Sequence, residues 1–382
     1  MKTASRGFQI FVKPAGAACN LACSYCYYLE KGKSGAKNDP KHMPEDLLEN
    51  YIAQHITASP DEIIRFSWHG GEPTILGVDY FRKIVEIQRR YCPPGRKIAN
   101  GLQTNGTLLD EAWARFLKKE GFAIGLSLDG PQQIHDRYRL TSNGRPTFTA
   151  ALQGYEILKK YSVPTDILCV VGAHNVQYPI EIYNFFKEIE ATYITFLPLV
   201  EKQTGSGDKV TPESVSSEAW GDFLCVIFEE WLARDIGRIK IQIIEEATRV
   251  AFGLEHSVCI FRPICGDIPV VERNGDFYCC DHFVDDDHLV GNIRKTPLIN
   301  LLESPKQRMF GLAKLEKLPR YCRSCDVLEM CYGECPKNRF RLTPDGEPGL
   351  NYLCSGYKKF FTRIKPFVEA VAAEWRRQKS NL

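Results

Sequence analysis

The sequence lacks the features that mark several common classes of protein. Lysine and arginine together number 49 and aspartate and glutamate 47, which leaves a net charge of +2. The basic excess that nucleic-acid binding proteins carry is therefore missing. No apolar run is long enough to span a bilayer, and the apolar stretch at residues 8–12 is too short for the core of a secretion signal. We expect a cytoplasmic protein whose partners include neither nucleic acid nor a membrane.

Cysteine is the residue type present in excess. The chain of 382 residues contains 15 cysteines, an odd number in a long sequence without a secretion signal. A disulfide framework is therefore a poor explanation, and metal or redox chemistry is a better one. The cysteines are also unevenly distributed, since three lie between residues 19 and 26 and nine between residues 259 and 354.

The first 200 residues alternate strand-like and helix-like segments. Strands are predicted at 8–12, 63–68, 98–103, 122–128, 166–171 and 193–199, and helices at 44–56, 78–91, 110–119, 148–161 and 179–190. Such an alternation predicts parallel βα units with right-handed crossovers. Six strands fit an open or partial βα barrel better than a closed barrel of eight. The chemistry of such a sheet is expected at the carboxyl ends of its strands.

The character of the sequence changes in its last third. A helix is predicted at 217–234, and short turn-rich segments follow from Cys259 onward. Asn274-Gly275 between two apolar runs predicts a hairpin within residues 268–280. A helix at 356–378 is predicted to close the chain. We predict two domains, residues 1–235 and 236–382.

The first cysteine group follows the first predicted strand directly. Cys19, Cys23 and Cys26 have the spacing C-x3-C-x2-C. Three thiolates on one tight loop can bind three irons of a [4Fe–4S] cluster and leave the fourth iron open to a small molecule. The alternatives are buried thiols or a structural zinc site, which would need a fourth ligand that the neighbouring sequence does not offer.

This spacing, followed by aromatic residues, resembles the radical S-adenosylmethionine superfamily, as does the Gly-Gly-Glu-Pro segment at residues 70–73. The resemblance implies an α/β fold with a partial (β/α)6 barrel, in which the open iron binds S-adenosylmethionine and its cleavage yields a 5′-deoxyadenosyl radical. Arg139 is the implied partner of the cofactor's carboxylate, because a guanidinium binds carboxylates bidentately. Position matching assigns the cofactor contacts to Tyr28, Gly71, Ser127, Arg139 and Val200. The Gly-Gly-Glu-Pro segment adds Gly70 and Glu72, and Gln103 and Asn105 at the end of a strand are candidates for contacts with the ribose or the peptide.

The later cysteines resemble the SPASM extension of the same superfamily. The resemblance implies two auxiliary [4Fe–4S] clusters and hence three in all. The implied ligands are Cys259, Cys265, Cys280 and Cys335 for one cluster and Cys322, Cys325, Cys331 and Cys354 for the other. A zinc site on Cys322, Cys325, Cys331 and Cys335 is the alternative, but it leaves the other four cysteines unexplained. Cys279 and Cys280 are neighbours on a strand and face opposite ways, so only one of them is expected to be a ligand.

Five further segments, residues 68–73, 102–107, 126–131, 280–284 and 336–340, resemble the anaerobic sulfatase-maturating enzymes. These oxidise a cysteine or serine of a sulfatase to formylglycine. One departure is Glu334, where the family usually has a glycine. The resemblance implies an unfolded sulfatase polypeptide as substrate and a flavodoxin- or ferredoxin-like electron donor, and we expect a monomer.

The resemblance also places a general base at Asp281, next to the implied ligand Cys280. After hydrogen abstraction from the target Cβ, a base must take the proton of the target hydroxyl or thiol. The alternative is that Asp281 is a solvated acid at the end of the hairpin. Two other functions stay open: a maturase of the same architecture that forms thioether or carbon–carbon crosslinks in a ribosomal peptide, and an electron-transfer protein without catalysis. The first usually carries an additional N-terminal peptide-recognition domain, which we do not expect here.

Overall fold

The structure, a computed structural model, describes residues 3–28, 40–203, 205 and 208–380. Its strands are β1 (Ile10–Lys13), β2 (Ile63–Trp68), β3 (Lys97–Thr104), β4 (Ala123–Ser127), β5 (Thr165–Val171), β6 (Tyr193–Pro198), β7 (Lys240–Ile241), β8 (Val270–Glu272), β9 (Asp276–Tyr278), β10 (Leu289–Asn292), β11 (Arg341–Leu342) and β12 (Pro348–Leu350). Its α-helices are α1 (Glu45–Ala58), α2 (Gly77–Tyr91), α3 (Glu111–Glu120), α4 (Gln132–His135), α5 (Phe148–Lys160), α6 (Pro179–Glu188), α7 (Ser217–Arg234), α8 (Gln242–Ala251), α9 (Leu298–Leu302), α10 (Pro305–Glu316), α11 (Arg320–Arg323), α12 (Leu328–Cys331) and α13 (Cys354–Ser380). Short 3-10 helices span Pro73–Leu76, Asp286–His288 and Pro336–Asn338.

Two compact units share the chain and alternate along it. The first unit is formed by Met1–Leu128, His135–Asp166 and Gly266–Gly311. The second unit is formed by Asp129–Ile134, Ile167–Cys265 and Leu312–Leu382. Each unit is thus assembled from separate stretches of the chain. The division into two domains, residues 1–235 and 236–382, stays a prediction.

The first unit is built around a mixed sheet in which the strands follow the order β10-β9-β8-β1-β2-β3-β4. Strands β1 to β4 are parallel to their neighbours, and β8 also pairs with β1 in parallel. The carboxyl ends of these five strands therefore lie at one edge of the sheet. Consequently the loops that follow β1, β2, β3 and β8 meet there, which is where the chemistry of such a sheet is expected.

Local sequence explains where the elements of this unit begin and end. Asp110 caps α3, since its carboxylate accepts a hydrogen bond from the Trp113 amide at 2.9 Å. Gly121 ends the same helix in the left-handed conformation at φ +67°. The predicted hairpin is confirmed as β8 and β9, which pair antiparallel, with Gly275 at φ +91° in the turn.

The second unit contains the parallel strands β5, β6 and β7 and a pair of long helices, α7 and α13. The apolar face of α7 is buried as its spacing predicts, with Trp220, Phe223 and Phe228 almost fully covered. Two glycines allow the helices to approach closely. A Cβ added to Gly356 would lie 2.1 Å from the Ser217 carbonyl oxygen, and one on Gly221 would lie 2.7 Å from the Gly356 Cα.

The six strands predicted in the first 200 residues are present, with ends that differ by at most two residues. The closing helix is also present but begins at Cys354, two residues earlier than predicted. The prediction did not include α4, β7, α8, β10, α9, α10, α11, α12, β11 or β12. These elements are mostly short, and β7 has only two residues. Among the described residues, no helix is long and apolar enough to cross a membrane.

We predict that Gly356→Ala destabilises the protein, because the new methyl group meets backbone rather than a movable side chain. Overpacking of this kind costs about 1–3 kcal/mol, more than the roughly 0.5–1 kcal/mol that alanine gains over glycine in a helix. Thermal or urea unfolding measures the change.

The matched control is Gly101→Ala in β3, where the nearest atom to an added Cβ is the Ser67 Oγ at 3.7 Å. That variant should unfold like the parent or slightly later. Equal unfolding midpoints for Gly356→Ala and the parent would show that the two helices are not held at this distance.

Candidate active site and cluster sites

The loop that carries Cys19, Cys23 and Cys26 is fixed by backbone hydrogen bonds to two neighbouring segments of the first unit. From the loop after β2, the Gly71 amide donates to the Gly16 carbonyl and the Glu72 amide to the Ala18 carbonyl, both at 2.8 Å. On the other side, the Ala22 amide donates to the Leu140 carbonyl at 2.8 Å and the Ser24 amide to the Tyr138 carbonyl at 3.1 Å. The thiols therefore lie at the carboxyl edge of the sheet, as predicted.

The glycines of the Gly-Gly-Glu-Pro segment are needed for this approach. Gly70 has φ +125°, and a Cβ there would lie 2.8 Å from the Gly16 carbonyl oxygen. A Cβ on Gly71 would lie 2.2 Å from the Ala18 carbonyl oxygen. Any side chain at either position would push the cysteine loop away from β2.

Glu72 is almost fully buried, and its carboxylate binds protein groups. It accepts hydrogen bonds from the Thr74 amide and hydroxyl, from the Thr104 hydroxyl at 2.8 Å and from the Asn105 amide at 2.7 Å. Burial raises the pKa of Glu72, although these bonds oppose the rise. The carboxylate thus joins the loop after β2 to the end of β3. A direct contact of this group with a cofactor would compete with four hydrogen bonds.

The other predicted polar residues of the first unit lie at the same edge. The side-chain amide nitrogen of Asn105 donates to the side-chain oxygen of Asn20 at 2.9 Å and lies 3.8 Å from the Cys19 sulfur. The Gln103 amide nitrogen donates to the Ser127 hydroxyl at 3.2 Å. The residue that follows β3 therefore makes a further contact with the cysteine loop, in addition to the two segments named above.

Arg139 is buried beside the cysteine loop. Its neighbours in sequence, Tyr138 and Leu140, form the backbone bonds to that loop described above, and its guanidinium lies 5.4 Å from the centre of the Tyr25 ring. The cation is thus held against the loop that carries the three thiols. Val200, also predicted to contact the cofactor, is buried in the second unit.

The three thiols have the chemistry of cluster ligands. Burial raises the pKa of the Cys19 thiol to about 11, against the opposing effect of the Leu21 amide, which donates to the sulfur at 3.3 Å. Cys23 and Cys26 are close enough to add to the rise. Such thiols become thiolates when a metal takes the place of the proton. The residues present therefore fit an iron–sulfur cluster with three protein ligands.

Asp281 is buried in the first unit among charged and aromatic groups. One carboxylate oxygen is paired with the Lys13 ammonium, and the other accepts a hydrogen bond of 2.5 Å from the Tyr27 hydroxyl. Burial alone would raise the pKa of Asp281, but Lys13, His282 and Tyr27 together hold it well below its usual range. Asp281 is therefore a buried, ionised carboxylate and not a solvated acid.

Tyr28 lies next to this group. Its hydroxyl donates to both oxygens of Glu272, at 2.5 and 2.6 Å, and the Lys13 ammonium lies 3.4 Å from the centre of its ring. Burial raises the pKa of Glu272, although Lys13 and Tyr28 oppose the rise. The Tyr28 side chain is thus bound to the protein on its face and at its hydroxyl.

A cavity in the second unit is lined by Cys322, Cys325, Cys331 and Cys354. Burial and the neighbouring thiols raise the pKa of Cys331 to about 12 and that of Cys354 to about 11. These are the four ligands implied for the second auxiliary cluster. The zinc alternative needs Cys335 in place of Cys354, and Cys354 is the one that shares this cavity. No three His, Cys, Asp or Glu side chains of the described residues can hold a single metal ion, but the thiols of a cluster bind different irons.

Three of the four ligands implied for the first auxiliary cluster surround Lys314 in the second unit. This buried lysine donates to the carbonyls of Cys259 and Ile260, both at 2.7 Å. The sulfurs of Cys259, Cys265 and Cys335 are close enough to favour its positive charge. The pKa of Lys314 is lowered by burial, which the three thiols oppose. The fourth implied ligand, Cys280, belongs to the first unit and is partly exposed, whereas its neighbour Cys279 is fully buried.

Glu334, the departure from the family pattern, adopts a left-handed conformation with φ +50° and follows Tyr332 and Gly333, which are also left-handed. Its buried carboxylate accepts hydrogen bonds from the Asn338 amide at 3.0 Å and the Asn351 amide at 2.7 Å. Burial raises its pKa, although both amides oppose the rise. These bonds offset the backbone strain that a glycine would avoid.

The chain is similar in sequence to known proteins along nearly its whole length. Residues 14–186 match the radical SAM superfamily, and residues 265–326 match an iron–sulfur cluster-binding domain, SPASM. The chain is 42% identical to a serine-type anaerobic sulfatase-maturating enzyme of Bacteroides thetaiotaomicron, over 98% of this chain and 94% of that one. It is 32% identical to a cysteine-type enzyme of Clostridium perfringens, over 95% of this chain and 98% of that one. This chain belongs to the anaerobic sulfatase-maturating enzymes.

A solved structure of one such enzyme, native anSMEcpe with bound AdoMet and Cp18Cys peptide, superimposes with a TM-score of 0.86 at 31% identity, over 97% of this chain and 99% of that one. The predicted fold class, an α/β radical SAM domain followed by a cysteine-rich SPASM domain, is therefore confirmed. The chain is a radical SAM enzyme. Both domains belong to families that bind iron–sulfur clusters.

Sequence reasoning did not identify Lys13, Tyr27 or Glu272 as parts of the site. Lys13 carried a signal, because it is a charged residue at the end of an otherwise apolar strand. Tyr27 directly follows the predicted ligand Cys26, and Glu272 lies at the end of β8 beside Lys13 in register. The parallel pairing of β8 with β1 brings these residues together. No feature of the local sequence predicts that pairing.

We predict that Cys354→Ala removes one cluster from the protein after anaerobic reconstitution. With three clusters of four irons, the iron content should fall from about twelve to about eight per chain. Iron analysis with absorbance and electron paramagnetic resonance measures the loss.

The matched control is Cys225→Ala on α7, a partly buried cysteine outside every implied ligand set. It should keep the full iron content. Retention of about twelve irons by Cys354→Ala would remove Cys354 from the ligands.

Proposed function

We propose that this enzyme converts a serine or cysteine in an unfolded sulfatase polypeptide to formylglycine, with serine as the preferred target. The observation that carries the proposal is the placement of Asp281. The hydroxyl that binds its carboxylate belongs to Tyr27, the residue that follows Cys26. A buried proton acceptor is thereby tied to the loop whose thiols are the proposed ligands of the first cluster.

The chemistry divides between the bound groups and the chain. When bound, S-adenosylmethionine and the clusters supply the radical that removes a hydrogen atom from the target Cβ and an acceptor for one further electron. Asp281 takes the proton that leaves the target hydroxyl or thiol. Loss of one hydrogen atom, one proton and one electron converts serine to the aldehyde. Cysteine gives a thioaldehyde, which water then hydrolyses.

The low pKa of Asp281 determines the form in which this residue enters a turnover. A carboxylate whose pKa is held well below its usual range is ionised at every pH near neutrality. It is therefore in the form that can accept a proton, although a low pKa by itself makes a carboxylate a weak base.

We further propose three [4Fe–4S] clusters. Their ligands would be Cys19, Cys23 and Cys26; Cys259, Cys265, Cys280 and Cys335; and Cys322, Cys325, Cys331 and Cys354. The raised thiol pKa values and the shared cavity in the second unit support these sets. Cys280 is included on the sequence resemblance alone.

For S-adenosylmethionine we propose contacts with Tyr28, Gly71, Gln103, Ser127 and Arg139 of the first unit and with Val200. Arg139 would bind the cofactor's carboxylate, and its burial beside the cysteine loop supports this. Gly70 and Glu72 would shape the site through the backbone, while Asn105 supports Cys19. A flavodoxin- or ferredoxin-like protein would supply electrons to a monomeric enzyme in the cytoplasm.

The preference for serine rests on the relatives. The serine-type enzyme of Bacteroides thetaiotaomicron is 42% identical to this chain, and the cysteine-type enzyme of Clostridium perfringens is 32% identical over a similar length. The substrate should be extended rather than folded, because the reacting Cβ must come close to the radical carbon at the edge of the sheet.

We predict that Asp281→Asn separates two activities. The variant keeps the shape of the side chain but loses the base, so cleavage of S-adenosylmethionine should continue while peptide oxidation falls by roughly 10²–10⁴-fold. Parallel assays of 5′-deoxyadenosine and oxidised peptide measure both. Normal peptide oxidation by this variant would place the base elsewhere.

The substrate is tested with two peptides of about 15 residues that differ only in the target residue. Each contains serine or cysteine, then proline two residues on and arginine two further. Two-electron oxidation should lower the mass by about 2 units for serine and about 18 for cysteine, and faster conversion of serine is expected.

Faster conversion of the cysteine peptide would reverse the proposed preference. If 5′-deoxyadenosine forms and neither peptide changes mass, while a precursor peptide becomes crosslinked with loss of hydrogen only, the crosslinking-maturase function would replace the one proposed.

A further inference from the structure

Lys13 is a buried lysine of the first unit. It ends β1, and only 1% of its surface is exposed. Lysine is almost never fully buried unless it is paired. Removing a lone ammonium from water costs several kcal/mol, so the groups around it must compensate for its charge.

Four groups surround the Lys13 ammonium. It is paired with one oxygen of Asp281 and lies 3.4 Å from the centre of the Tyr28 ring and 5.9 Å from that of Tyr27. Glu272 stands beside Lys13 in the β1–β8 register. All these residues belong to the first unit. The ammonium is therefore at the centre of the site and is shielded from solvent.

The two carboxylates in this group are held differently. Both oxygens of Glu272 accept from the Tyr28 hydroxyl. Asp281 has one oxygen bound by the Tyr27 hydroxyl and the other by Lys13. Two donors, one on each oxygen, therefore hold the Asp281 carboxylate, and one of them is the Lys13 ammonium.

We propose that Lys13 is a positioning residue that orients the Asp281 carboxylate toward the target side chain and so couples S-adenosylmethionine cleavage to peptide oxidation. The inference rests on the proposed function of Asp281 as the base. Lys13 touches neither substrate nor reacting atoms in this role. It acts by holding the acceptor in place, and small displacements of a catalytic group can cost about 10²-fold in rate.

The first test compares Lys13→Met and Lys13→Arg with the parent holoenzyme. Lys13→Met removes the charge and keeps most of the volume, so 5′-deoxyadenosine should still form while the oxidised peptide per 5′-deoxyadenosine falls by about 10–10²-fold. The fall should lie in kcat, with KM for the peptide little changed. Lys13→Arg, which restores a cation, should recover part of the ratio. Lys83→Met, at a surface lysine of α2 paired with Glu45, is the control and should keep the parent ratio.

The second test needs no turnover. Thermal unfolding of the full-length holoenzyme is measured for Lys13→Met, Asp281→Asn and the double variant. Each single variant leaves one buried charged or polar partner without its counterpart, so the double variant should unfold later than the sum of the two single effects predicts. Additive shifts would show that Lys13 and Asp281 do not act as a pair.

The outcomes separate this inference from the proposed function. Peptide oxidation at the normal rate by Asp281→Asn would overturn the base itself. A large loss in Asp281→Asn with a normal ratio in Lys13→Met would overturn only the inference about Lys13. Equal loss of 5′-deoxyadenosine and product in both Lys13 variants would also overturn it, since Lys13 would then serve cofactor binding or folding.

Discussion

The close approach of two backbone segments governs the site of this enzyme. The loop after β2 passes so near the cysteine loop that only glycine fits at positions 70 and 71. The two amide–carbonyl bonds that result fix the thiols relative to the sheet. Glu72 then ties the same loop to β3, and Asn105 extends the connection to Cys19. The proposed cofactor contacts from several strands all depend on the position of this crossing.

Burial of charge is the second constraint. The site contains the Lys13 ammonium and the Asp281 carboxylate, both buried, beside the Glu272 carboxylate and the hydroxyls of Tyr27 and Tyr28. Each charged group has a partner, so the desolvation cost is offset by pairing. The thiols follow the opposite logic, because burial raises their pKa values until a metal displaces the protons. Bound metal would thus supply the positive charge that buried thiolates need.

The sequence allowed most of the fold and part of the site to be predicted. Strong alternation of apolar and amphipathic segments located β1 to β6, and cysteine spacing located the proposed cluster ligands. The group around Asp281 could not be predicted, because it depends on β8 pairing in parallel with β1 across more than 250 residues of chain. Short elements such as β7 carry too few residues for a periodic signal. Glu334 was visible as a departure, but its two asparagine partners were not, since Asn351 lies 17 residues away.

Through Asn338 and Asn351, Glu334 connects separate segments of the chain. Its carboxylate connects the turn between Cys331 and Cys335 to Asn351, three residues before Cys354. Hydrogen bonds within the protein thus join two segments that carry thiols. A glycine at this position would relax the turn but leave both amides without their common acceptor. In the history of this chain, therefore, Glu334, Asn338 and Asn351 are expected to have been gained or lost as a set.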